Sequence, residues 1–126
     1  MNAADVAQFW LAGGKDALET AQTLMAAKKY HHALFFCHLA FEKLLKSKFV
    51  KNTNAVPPPL HNLLQLAEKA GLVLTQPQKE NLREINRFNI EARYDDYKLK
   101  FYKKATPEFA NRWFTITKEL FSLWEK

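Results

Sequence analysis

The sequence predicts an all-α protein: an antiparallel up-and-down bundle of four long helices plus one short helix. Three observations predict it. Apolar residues recur at helical spacing over long stretches. Two later stretches, Thr75-Gln76-Pro77-Gln78 and Thr106-Pro107, carry the cap-then-proline signature of a helix start. No Val/Ile/Thr alternation bounded by turns is present, and three glycines in 126 residues are too few for a turn-rich β fold.

Helix 1 is expected from about Ala4 to Lys28, with Asn2 as N-cap and Phe9, Trp10, Ala17, Leu18, Ala21, Leu24 and Met25 on its apolar face. Gly13-Gly14 interrupts it. Each glycine costs about 1 kcal/mol relative to Ala in a helix, so a kink or a close helix crossing is expected there. Helix 2 is expected from about Tyr30 to Lys51. Apolar side chains cover most of its circumference, which marks a central helix packed on more than one side. One polar stripe remains: His31, His38, Glu42 and Lys46, within an arc of about 80°. Asn52 to Pro59, with three consecutive prolines, reads as a stiff connection. Neither side of it holds enough apolar residues for a separate core, so residues 1–126 read as a single domain. Helix 3 is short, about Leu60 to Ala70, and ends at Gly71. Helix 4 begins after Thr75 and reaches about Phe88. Helix 5 starts at Thr106-Pro107, with Phe109, Trp113, Ile116, Leu120 and Trp124 inward. Between the last two lies a polar, aromatic segment, Asn89 to Lys104.

Composition narrows the function classes. A hydrophobic content of 48 % and a charged content of 25 % are those of an ordinary globular chain. The single cysteine, Cys37, sits among large apolar residues and reads as a small core residue in a reducing compartment. No basic leader and no long apolar run is visible, so a cytoplasmic protein with no membrane association is expected. The net charge is +6, and fifteen of the nineteen basic residues are lysines. That favours diffuse attraction to phosphates over base reading by the arginine fork.

The run Tyr30-His31-His32-Ala33-Leu34-Phe35-Phe36-Cys37-His38-Leu39-Ala40-Phe41-Glu42-Lys43-Leu44-Leu45-Lys46 resembles the second helix of HEPN domains. His61-Asn62-Leu63-Leu64 looks like the start of that family's third helix, and Asn86 to Tyr94 like its next signature segment. The resemblance spans about residues 4–124 and implies a helical bundle, usually dimeric. It implies one of two roles: a metal-independent ribonuclease using Arg-x4–6-His, or a companion of a minimal nucleotidyltransferase. Some of the class are thought to bind nucleotides.

The ribonuclease motif fails by order alone. The last histidine is His61 and the first arginine is Arg83, so no Arg-x4–6-His exists in this chain. Where the resemblance expects the histidine stands Arg93, and a guanidinium stays protonated and cannot shuttle protons at neutral pH. The sequence therefore points to a non-catalytic HEPN module that forms a homodimer and binds a nucleotide or nucleic acid, as partner of a minimal nucleotidyltransferase. A ribonuclease toxin with a degenerate site and a purely structural dimerisation domain are the alternatives.

Candidate ligand or phosphate-binding residues are Arg87, Arg93, Tyr94, His31, His38 and Lys46. The two arginines either hold phosphate through bidentate bonds or pair with Glu84, Glu91, Asp95 and Asp96. The stripe on helix 2 is either part of a ligand or partner groove, or a polar seam satisfied by neighbouring helices, or the dimer surface. His31 and His38 lie about 10 Å apart along the axis, too far for one metal ion without ligands from elsewhere. In Tyr97 to Lys104 aromatic and basic residues interleave, which suits either stacked bases and phosphates or an ordered linker whose aromatics pack on the bundle while its lysines stay in water. Lys98, Lys100, Tyr102 and Lys103 are the nucleic-acid candidates. No Gly-rich phosphate loop and no nucleophile paired with a base is present, and no metal or cofactor is expected.

Overall fold

In the computed structural model, which describes residues 2–91 and 99–126, six helices follow one another: α1 (Ala3–Ala26), α2 (Tyr30–Thr53), α3 (Leu63–Lys69), α4 (Gln76–Glu91), α5 (Lys100–Lys104) and α6 (Pro107–Trp124). Among the described residues there is no strand. The four long helices stand where the periodicity places them. The expectation of one short helix is corrected to two, because Lys100–Lys104 forms a separate turn of helix before α6.

Side-chain caps set the helix starts. Asn2 Oδ1 accepts from Asp5 N at 2.9 Å while Asp5 reaches back to Asn2 N, a reciprocal pair that satisfies two donors of the first turn. Thr75 and Gln78 repeat the arrangement at α4, at 2.9 and 3.2 Å. Thr106 Oγ1 accepts from Phe109 N at 3.2 Å and Pro107 opens α6. α3 starts at Leu63 rather than Leu60, because Leu60 N turns back to Pro58 O and Asn62 caps Gln65 N at 2.9 Å.

α1 ends at Ala26, two residues before the expected Lys28. Lys28 N bonds to Met25 O at 3.0 Å and Lys29 N to Leu24 O at 2.8 Å. These are the two bonds of a Schellman closure, which places Lys28 in the left-handed region at φ 61.

α2 touches each of the other five helices. Leu34, Phe41, Leu44 and Leu45 are fully buried among Leu63 and Leu66 of α3, Leu82, Ile85 and Phe88 of α4, and Phe121 of α6. Each such side chain contributes about 1.5–3 kcal/mol relative to its exposed state. Phe41 meets the rings of Phe121 and Trp124 at 6.5 and 5.8 Å.

The α1 face toward α2 is built of small residues. Ala7, Gly14, Ala17 and Ala21 are buried, and Ser47 Oγ donates to Ala7 O at 2.7 Å. At Gly14 a Cβ would lie 3.1 Å from Ala40 O and 3.3 Å from Leu44 N, so the glycine marks a close crossing and α1 continues through it. Cys37 packs with Ala21 and Phe114, and burial pushes its thiol up to about 12.

Candidate functional site

The polar stripe of α2 divides between two places. His38, Glu42 and Lys46 are buried, and His38 and Glu42 face the chain that leads into α3. His38 Nε2 donates to His61 O at 2.9 Å. Glu42 holds His61 Nδ1 at 3.0 Å on one oxygen and Lys46 Nζ at 3.2 Å on the other. The Lys46 ammonium also lies 5.3 Å from the Trp10 ring centre. Burial lowers the pKa of His38 below its ordinary value, against the opposing pull of the His61 carbonyl and Glu42. His38 and Glu42 thus form a polar seam that ties α2 to the chain entering α3, and Lys46 extends it along α2 toward Trp10 of α1. His38 and Lys46 each have a protein hydrogen-bond partner.

Arg87, on α4, is largely exposed and pairs with Glu91 at 3.0 Å and Glu84 at 3.5 Å. Lys104 shares both carboxylates at 3.4 and 3.5 Å and lies 5.4 Å from the Phe109 ring centre. Two cations and two carboxylates join α4 to α5, and each exposed pair contributes at most about 1 kcal/mol.

His31 lies a full α2 turn and more from the seam and has different neighbours. It meets the Tyr102 ring edge-to-face, with centres 5.1 Å apart, and the His32 ring at 3.9 Å. These rings stand beside an open cavity of about 330 Å³, which the α1–α2 turn, the start of α2, α5 and the first residues of α6 border. Lys28, Tyr30, His31, Tyr102, Lys103 and Thr106 line it. Two lysines come from separate elements, and no Asp or Glu lies in the lining among the described residues. Among the described residues neither lysine pairs with a carboxylate. Tyr102 is 56 % exposed, so ring surface remains open beside the cations. The arrangement suits a planar, anionic ligand: rings give a stacking surface, and the ammonium groups neutralise phosphate.

The cavity thus brings together His31 from one set of candidates and Tyr102 and Lys103 from the other. Lys100 is exposed at the start of α5. Arg93, Tyr94 and Lys98 lie outside the described residues. Sequence reasoning missed Lys28 and Tyr30. The signal was present: Lys28-Lys29-Tyr30-His31-His32 interleaves basic and aromatic residues as Tyr97 to Lys104 does, and the fold brings this run against α5. Among the described residues no three His, Cys, Asp or Glu side chains converge as a metal site would need, and no helix is long and apolar enough to cross a membrane.

A family model of the HEPN domain matches residues 7–126. No curated protein and no solved structure matched the chain.

Proposed function

This chain belongs to the HEPN domain family, and from that premise we propose a non-catalytic module that dimerises, binds a nucleotide or nucleic acid in the basic, ring-lined cavity, and partners a minimal nucleotidyltransferase. The observation that carries the binding reading is the convergence of His31, Tyr102, Lys28 and Lys103 on a cavity whose lining holds no carboxylate among the described residues. The non-catalytic reading rests on the order of the chain, in which every arginine follows every histidine. The seam supports it, since His38 is enclosed and donates to a backbone carbonyl.

Titration calorimetry with adenosine 5′-monophosphate and with a short single-stranded oligoribonucleotide tests the binding. Tyr102→Ala should weaken it by about tenfold, the loss of one base–ring stack, with little change in unfolding midpoint because the side chain is exposed. Absence of heat with both ligands at millimolar concentration rejects the reading. The partnership predicts co-purification with a nucleotidyltransferase encoded beside it, and no complex at micromolar concentration rejects that part.

One observation favours the ribonuclease alternative. The His61 side chain is 62 % exposed, and Glu42 holds its Nδ1, an orientation that leaves Nε2 toward solvent. Metal-independent RNA cleavage lost in His61→Ala would replace the binding reading with that one.

A further inference from the structure

A Schellman closure needs a left-handed residue just past the helix, and glycine takes that position at no steric cost. In α1 the residue there is Lys28, at φ 61. Asn54, which ends α2 in the same conformation, is a residue type that tolerates it; lysine is not. Backbone economy therefore does not explain the side chain at position 28. Its location does: Lys28 lines the cavity beside Lys103 and the His31–Tyr102 pair, and its ammonium meets no carboxylate among the described residues.

We propose that Lys28 is the phosphate ligand of this cavity, and that the ligand is a single nucleotide unit. The base lies against Tyr102 and His31, and the phosphate lies between Lys28 and Lys103. The inference rests on the binding reading above and deepens it. A volume of about 330 Å³ stands near the lower end of ligand pockets, which suits one base with one phosphate. The same unit occurs as a free mononucleotide and as the 5′-phosphorylated end of a single strand.

The test uses the full chain, calorimetry and thermal unfolding. Wild type should bind adenosine 5′-monophosphate more tightly than adenosine. Lys28→Gly should raise the unfolding midpoint by about 2–4 °C, because the left-handed residue is relieved. The same variant should bind adenosine 5′-monophosphate about tenfold more weakly, the loss of one charge-assisted contact, and adenosine as before. Lys28→Arg should restore the phosphate preference, whereas Lys28→Asn, at ease in the left-handed region but uncharged, should not. A merely structural role for Lys28 would couple stability and affinity; this proposal requires them to move in opposite directions.

A trinucleotide with a 5′-phosphate, compared with the same trinucleotide without it, separates the two sources. Tighter binding of the phosphorylated strand than of the free mononucleotide assigns the strand end, and equal binding assigns the free nucleotide. Affinity that climbs with oligonucleotide length and ignores the 5′-phosphate overturns the single-unit assignment. If wild type binds these ligands and Lys28→Gly binds them equally well, the role of Lys28 falls and the module's binding function stands. If wild type binds none of them, the binding function falls, and the role of Lys28 with it.

Discussion

Gly13 and Gly14 are adjacent in α1, yet an added methyl group should have opposite effects at the two sites. Either substitution to Ala removes a mid-helix glycine and gains about 1 kcal/mol of helix propensity. At Gly13 the atoms nearest the new Cβ all belong to the Lys43 side chain, with Cδ at 3.1 Å, and a flexible side chain can rotate aside. At Gly14 it would meet Ala40 O at 3.1 Å, Leu44 N at 3.3 Å and Phe121 Cε2 at 3.3 Å. Two of those atoms are α2 backbone, and α2 cannot yield locally because it also packs on α3, α4 and α6. Relief requires α1 to withdraw by a few tenths of an ångström along the whole crossing, an overpacking cost of about 1–3 kcal/mol that also disturbs the Ser47 bond to Ala7. Gly13→Ala should therefore stabilise by about 0.5–1 kcal/mol, and Gly14→Ala destabilise by up to about 2 kcal/mol, the overpacking cost less the propensity gain. Urea unfolding followed by circular dichroism measures both as midpoint shifts at constant slope. Gly14→Ala as stable as Gly13→Ala would refute the close crossing.

Three further outcomes follow from buried groups. Glu42→Ala strands the Lys46 ammonium in the interior and should cost about 3 kcal/mol, and adding Lys46→Met should recover most of it; a fully additive double variant would contradict the pairing. Because burial lowers the pKa of His38, the unfolded chain takes up a proton before the native one as pH falls below 6.5. Its contribution to stability is thus complete above about pH 6.5 and is lost as pH falls through the lowered native value. His38→Gln should flatten the decline of the unfolding midpoint just below pH 6.5, and an unchanged decline would count against it. Cys37, with its thiol pushed up to about 12, should resist iodoacetamide at pH 8 in the native protein and react once urea unfolds it; rapid native alkylation would show the core is open there.

Where the sequence supplies a capping side chain, helix starts are legible. Asn2, Thr75 with Gln78, and Thr106 all cap as their chemistry suggests. The end of α1 is not legible, because the residue in the left-handed position is Lys28 and a pattern reader looks for glycine or asparagine there. α5 is hidden for another reason. Five residues carry too little periodicity to separate a helical turn from an ordered aromatic segment, and Phe101 alone of them is buried. The candidate site is half legible. Four residues within one polar arc of α2 read as one surface, but an arc says nothing of position along the axis. The chain entering α3 meets His38 and Glu42, Lys46 lies beside Trp10 of α1, and α5 stands beside His31. The meeting of Lys28 with Tyr102, 74 residues later, depends on tertiary contact that spacing along one helix does not encode.

The connection from Asn54 to Asn62 is clamped at both ends. Asn52 Nδ2 donates to Ala70 O at 2.9 Å, and His61 is held by Glu42 and His38. Between the clamps Ala55 and Val56 project into solvent, Val56 at 87 % exposure. Lengthening a surface loop is thermodynamically gentle, about 0.6 kcal/mol for each doubling. α2, at 24 residues, also sets this point about 35 Å along its axis from Tyr30. A fluorescent reporter or affinity handle grafted between Ala55 and Val56 would leave both fastenings intact, at the end of α2 away from the cavity that Lys28 and Lys103 line.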